Sequence, residues 1–204
     1  MYKMLELFKG TGSISKVAVN MNFSIVSLDF EKKFNPDILV NILEWDYKKY
    51  HEDNNYIPNY IWASPPCNTY SIMAYFFKER NTKTAEPLSD RARLGTQILY
   101  KTLEIIQYFL NLNPNLKYCI ENPKGMMRHD IKLRNEKRET TLYCLYGDIK
   151  RKPTDFWSNY DLDLLPEKTP HNIECINVKK LPLLKRYSIP ENLVKQILIK
   201  SNLI

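Results

Sequence analysis

Short apolar runs along this chain end on glycine, acidic or proline-bearing turns, and stretches of helical periodicity lie between them. Residues 3 to 8 read as a strand with charges inside its apolar run, and Gly10-Thr11-Gly12-Ser13 turns it into a helical stretch bearing Ile14, Val17, Ala18 and Met21. Ser24 to Asp29 and Asp37 to Ile42 read as the second and third strands. Tyr60 to Ala63 is a fourth, and it must stop at Pro65-Pro66, which cannot donate to a ladder. From about Asp90 to Leu112, apolar residues recur at helical spacing (Ile98, Leu99, Leu103, Ile106, Phe109, Leu110) until Pro114 closes the segment. Lys117 to Ile120 is a fifth strand ending in Glu121-Asn122-Pro123, and Thr140 to Tyr146 and Phe156-Trp157 supply later ones. Strands alternating with helices predict a mostly parallel, doubly wound α/β sheet with its ligand crevice outside the strands' carboxyl ends. Gly10, Gly12, Asp29, Asn41, Cys67 and Glu121 all fall on that edge. Residues 1 to 204 read as a single domain, without repeats.

Composition narrows the picture only slightly. A net charge of +7 and a pI near 9.1 suit a polyanionic partner and also suit many soluble proteins. No apolar stretch reaches the roughly 18 residues of a membrane span, so a soluble intracellular protein without membrane contact is expected. Cysteines stand at 67, 119, 144 and 175 and histidines at 51, 129 and 171, with no C-x-x-C pair, so neither a metal site nor a disulfide framework is expected. Only five glycines occur, and four of them (Gly10, Gly12, Gly125, Gly147) lie in or beside the motifs below.

Phe8-Lys9-Gly10-Thr11-Gly12 between a strand and a helix would let backbone approach a nucleotide-like ligand, and Asp29 ends the next strand where dinucleotide-binding folds keep an acid for ribose. A tight turn plus a solvated Asp is the plainer alternative. Ser64-Pro65-Pro66-Cys67 presents a thiol on rigid backbone. A nucleophilic role for Cys67 needs a nearby cation or helix amino end, and otherwise it is an inert buried cysteine. Glu121 of Glu121-Asn122-Pro123 can reach the same pocket or lie at the surface before a proline turn. Cytosine C6 accepts a thiol only when N3 is protonated or hydrogen-bonded, and Cys67 with Glu121 would supply that pair.

The order F-x-G-x-G, S-P-P-C, E-N-P, over residues 4 to about 160, resembles the DNA cytosine-5 methyltransferase family. The resemblance implies a Rossmann-like, S-adenosylmethionine-dependent fold in which Cys67 adds to C6, Glu121 engages N3 and the exocyclic amine, and Pro66 and Asn122 flank them. It places the cofactor on Phe8, Gly10, Thr11, Gly12 and Pro65, with Asp29 and the adjacent Phe30 toward the ribose. Asn41 stands where an Asp is usual for the adenine amine, so either Asn41 or Asp46 takes that contact. Within Tyr146 to Pro153, Lys152 is the candidate for the cytosine carbonyl or a phosphate, and Ser188 to Leu193 faintly resembles the segment that returns a helix to the cofactor pocket. Basic residues Lys78, Arg80, Lys83, Arg91 and Arg93, and the run Lys124, Arg128, Lys132, Arg134, Lys137 and Arg138, are candidates for phosphate contact or for solvated loops.

Members from restriction-modification systems insert a target-recognition domain of about a hundred residues or more, the scale of a small domain. Here Tyr160 to Arg186 is a reduced insert in its place, so sequence selection is short, absent or supplied by a partner. Duplex DNA would have to flip its cytosine out of the stack, whereas a single strand avoids most of that cost. The rival readings are a DNA amino-methyltransferase, an RNA cytosine-5 methyltransferase, and a nucleic-acid-binding accessory subunit without turnover.

Overall fold

The computed structural model describes residues 1–170, 172 and 174–203. His171, one of the three histidines, and residue 173 of the expected insert lie outside the described residues. The strands are β1 (Tyr2–Leu7), β2 (Phe23–Asp29), β3 (Ile38–Leu39), β4 (Tyr60–Ala63), β5 (Lys117–Pro123), β6 (Arg138–Leu142), β7 (Lys150–Arg151), β8 (Pro153–Ser158) and β9 (Ile176–Asn177). Among the described residues, seven of them form one sheet in the order β3-β2-β1-β4-β5-β8-β6, and β7 pairs with β9 alongside. β1 is hydrogen-bonded on both sides, with Leu5 opposite both Val26 and Ile61. Its apolar run is therefore nearly continuous rather than alternating.

The chain first moves outward from β1 to β2 and β3, by way of α1 (Ser13–Asn20). It then returns to the other side of β1 for β4 and β5, through α2 (Tyr47–Asn54) and α3 (Asp90–Leu112). The reversal of direction opens a crevice between the carboxyl ends of β1 and β4. On one face of the sheet α3 packs Leu99, Ile105, Ile106 and Phe109 against Ile61 and Ile120. On the other, Ile14, Val17 and Ala18 of α1 meet Leu193, Val194 and Ile197 of α5 (Glu191–Lys200). The expected Rossmann-like, doubly wound architecture is thus present, with β8 running antiparallel between β5 and the edge strand β6.

Three elements differ from expectation. The third strand shrinks to Ile38–Leu39, because the Asp37 carboxylate accepts hydrogen bonds from Ser27 N at 2.8 Å and Ser27 Oγ at 2.5 Å, taking up the residue that would have begun it. β5 continues through Glu121-Asn122-Pro123, held by the antiparallel register that sets Glu121 opposite Phe156. The strand expected over Thr140 to Tyr146 ends at Leu142 and becomes a 3₁₀ turn over Tyr143–Tyr146, stopped by Gly147 at φ 82°. A fourth expectation fails as well. Cys144 and Cys175, 31 residues apart, are joined by a disulfide with Cα atoms 6.0 Å apart. Sequence spacing carries no information on such an approach. No helix among the described residues is long and apolar enough to cross a membrane.

Candidate active site

A cleft of about 510 Å³ opens at the carboxyl edge of the parallel strands, within the size range of small-molecule sites. Its first wall is the turn after β1, where Phe8, Gly10 and Gly12 take φ values of 66°, 51° and 70°. Left-handed backbone is ordinary for glycine, but a bulky residue adopts it only where surrounding contacts enforce it. Here Asp29 enforces it, because its Oδ2 accepts the Gly10 N–H at 2.9 Å while Oδ1 accepts that of Glu31 at 2.9 Å. Asp29 thus shapes the glycine turn as well as lining the cleft. Gly12 sits behind this wall as the N-cap of α1 and does not line the cleft.

Beneath the turn lies Glu6, which is 1% exposed and bonded to the Ser15 hydroxyl. Burial pushes its carboxyl up to about 7, against opposing pulls from Ser15 and Lys9. Sequence reading passed over Glu6, and the signal available was an acid at the centre of an apolar strand.

The opposite wall carries Cys67, Glu121 and Lys152. After β4, Pro65 O accepts a hydrogen bond from Asn122 Nδ2 at 2.8 Å, so the wholly buried Asn122 ties the proline turn to β5. Cys67 begins the next turn, its carbonyl accepting Tyr70 N at 3.0 Å and Ser71 N at 2.9 Å. Glu121 lines the same cleft, and Lys152 Nζ lies 3.6 Å from its Oε1. This meeting follows from topology: β8 runs antiparallel to β5, so the residue just before β8 arrives at the end of β5. Burial pushes the Cys67 thiol up, Lys152 pulls it down, and Glu121 raises it again. Burial outweighs the pull of Lys152, which is the cation acting on the Cys67 thiol in this cleft.

Of the residues selected from sequence, Phe8, Gly10, Thr11, Asp29, Phe30, Pro65, Pro66, Cys67, Arg91, Glu121 and Lys152 line this one cleft. Asn41 and Asp46 do not. Asn41 is exposed and its Oδ1 accepts Leu43 N at 3.1 Å, while Asp46 caps α2 by accepting Lys49 N at 2.9 Å. With β3 reduced to two residues, the chain leaves the sheet before either can face the crevice. Arg80 is buried, stacked 3.6 Å from the Tyr70 ring centroid and bonded to Ala85 O and Ala92 O, which makes it a brace of its loop. In the second basic run, Arg128 pairs with Asp155, Lys124 with Glu167 and Lys137 with Asp161.

The third wall joins a residue of the segment expected to return to the pocket, Ile189, to an unforeseen short helix before it. Leu183, Leu184 and Tyr187 of α4 (Leu183–Tyr187), with Ile189 beyond it, close the cleft from the C-terminal side. Ile189 N donates to Ser13 Oγ at 3.2 Å, fastening the segment before α5 to the start of α1.

No family model matches the chain. It is 30% identical over 184 residues to the probable DNA (cytosine-5)-methyltransferase of Frog virus 3 (isolate Goorha), an alignment covering 88% of this chain and 80% of that one. The chain belongs to the DNA (cytosine-5)-methyltransferase family. Among solved structures, the methyltransferase superposes on Schizosaccharomyces pombe Dnmt2 methyltransferase with a TM-score of 0.50 at 12% identity, over 88% of this chain and 52% of that one. An Escherichia coli prophage-encoded protein assigned as a DNA modification methyltransferase gives a TM-score of 0.50 at 15% identity, over 90% and 56%. The methyltransferase spans little more than half the length of these two structures, whose likeness is one of fold.

Proposed function

We propose that the protein transfers a methyl group from S-adenosylmethionine to C5 of cytosine in DNA, with Cys67 as nucleophile and Glu121 as acid. The observation that carries this reading is the meeting of Cys67, Glu121 and Lys152 in one cleft. The donor set also fits the cofactor. Asp29 and Glu31 offer carboxylates to a cationic methionine end and to ribose hydroxyls, with the buried Glu6 carboxyl beneath them, while Phe8, Phe30 and Pro65 give apolar walls to an adenine.

The Cys67 sulfur, as thiolate beside Lys152, bonds to C6. The C5–C6 π pair shifts to C4–C5 while the C4–N3 π pair moves onto N3, which takes the Glu121 proton, and C5 becomes the nucleophilic carbon of an enamine. S-adenosylmethionine, when bound, supplies the electrophilic methyl that C5 takes. Loss of the C5 proton to a base returns the pair to C5–C6 and breaks the sulfur–carbon bond, while N3 returns its proton to Glu121. Asn122 serves by fixing the Pro65-Pro66 turn, and hence the path of Cys67, against β5. A stacked cytosine must swing out to reach Cys67, at a cost of about a few kcal/mol. In this reading residues 160–186 are a reduced insert, and a partner or the strand's own accessibility selects the target.

The test uses DNA duplex, single-stranded DNA and RNA oligonucleotides in which 5-fluorocytosine replaces the target. Fluorine cannot leave as the C5 proton does, so the covalent adduct accumulates in the presence of S-adenosylmethionine. The unsubstituted protein is expected to form it with DNA, and Cys67→Ala to form none. An adduct persisting in Cys67→Ala would sink the nucleophile assignment. Methyl found on an exocyclic amine would support an amino-methyltransferase, and cofactor binding without any adduct would support an accessory subunit.

A further inference from the structure

The Glu121 carboxylate has a second partner that no sequence motif pointed to. Tyr143 is fully buried, and its hydroxyl donates to Glu121 Oε1 at 2.9 Å. It reaches that position because β6, antiparallel to β8, sets Leu142 opposite Pro153 and so delivers the next residue to the carboxyl end of β5. The chain turns there into the 3₁₀ segment, and Tyr143 N donates to Lys152 O at 3.4 Å, tying the residue that bears the phenol to the one that bears the cation. Lys152 Nζ lies 4.8 Å from the centroid of the same ring and Lys150 Nζ 5.4 Å from it. Burial and the Glu121 charge hold the phenol far above its ordinary pKa, so it remains a proton-bearing donor at any working pH.

Resting on the cytosine-5 reading above, we propose that Tyr143 is the positioning residue of the acid. It occupies Oε1 and leaves Oε2 as the oxygen that exchanges a proton with the pyrimidine N3. A hydrogen bond donated to a carboxylate is stronger than one donated to the neutral acid. The Tyr143 hydroxyl therefore tightens its hold as Glu121 gives up its proton, sharing the new charge with Lys152. No proton leaves Tyr143 in this scheme, which separates its role from that of an acid or a nucleophile. The stabilisation belongs to the step after binding and acts on kcat rather than on the assembly of the complex.

The experiment compares the unsubstituted full chain with Tyr143→Phe, which retains the ring and its contacts with both lysines and removes only the hydroxyl. Steady-state methylation of a cytosine-containing DNA duplex is followed from pH 6 to 9, alongside adduct formation on the 5-fluorocytosine duplex. Tyr143→Phe is expected to bind S-adenosylmethionine within about two-fold of the unsubstituted protein and to keep KM for DNA, while kcat falls about ten- to a hundred-fold, as one charge-assisted hydrogen bond warrants. The fluorocytosine adduct should form more slowly by a similar factor. The alkaline limb of the kcat profile should move upward by up to about one unit, because the carboxylate has lost a donor. Unchanged kcat with an unmoved limb would overturn the assignment, and so would a loss of activity matched by loss of folded protein. Absence of the adduct in the unsubstituted protein would instead sink the cytosine-5 reading, and this inference with it.

Discussion

Glu6 carries the clearest pH dependence at the level of single residues. It sits in the middle of the sheet with its carboxyl pushed up to about 7 from an ordinary 4.5, burial being the main cause. Between those two values the folded protein keeps a proton that the unfolded chain has lost, so stability falls as pH rises. The contribution of the neutral carboxyl is whole below pH 4.5 and is lost as pH climbs through about 7. A shift of this size corresponds to about 3 kcal/mol at most. Glu6→Gln is neutral throughout, so the difference in stability between the two proteins should change by about 1–3 kcal/mol from pH 5 to pH 8, read from urea midpoints without cofactor. Parallel profiles would mean that Glu6 is already ionised at pH 5. None of this was visible in Leu5-Glu6-Leu7, because a charge in a strand reads as facing outward unless both faces of the sheet are known to be covered.

Elements were legible to the extent that their causes are local. The 3.6-residue spacing of Leu99, Ile106 and Phe109 placed α3, whose start is fixed by Ser89 Oγ accepting Ala92 N at 3.1 Å. Pro65-Pro66 likewise fixed the end of β4. Local pattern failed where another segment competes for the backbone, as at β3, where Ser27 captures Asp37, and at β6, where the turn to Gly147 overrides a β-prone run. The failure at β3 bears directly on the site, because it removes Asn41 and Asp46 from the crevice. Asp46→Ala should therefore behave as a lost helix cap, costing about 1 kcal/mol with S-adenosylmethionine affinity unchanged. Calorimetric titration of the cofactor checks this. A loss of affinity beyond about three-fold without a matching loss of stability would return Asp46 to the adenine.

Across the whole molecule, the cleft is completed by a segment that the strands presenting Cys67 and Glu121 do not themselves hold. Leu183, Leu184 and Tyr187 belong to a strap leading into α5, and two ties bring that strap to the turn after β6. One is the Cys144–Cys175 disulfide. The other is the buried Lys150, whose Nζ donates to Lys185 O at 3.0 Å and to Ser188 O and Oγ at 2.6 and 2.7 Å, while Asp148 balances its charge at 3.0 Å. Burial pushes the Lys150 pKa down, and Asp148 holds it up. Residues 144 and 150 flank Gly147, so both ties reach the strap from one short stretch next to Tyr143. Neither tie could be read from sequence, since each depends on a contact across more than thirty residues. Two restraints on one segment are redundant: the first to go releases little freedom, and the second releases the strap. Cys175→Ser, or reduction by dithiothreitol, should therefore weaken S-adenosylmethionine binding by no more than about three-fold, although an unshared crosslink of this span would contribute about 3–4 kcal/mol. Lys150→Met alone should weaken binding by about three- to ten-fold, as the carbonyls at 185 and 188 lose a charged donor. The double variant should lose several-fold more than the product of the two and expose residues 176–187 to limited proteolysis, because the substitutions share one element. Strictly multiplicative losses with the strap still protected would show that α5 packing alone holds this wall of the cleft.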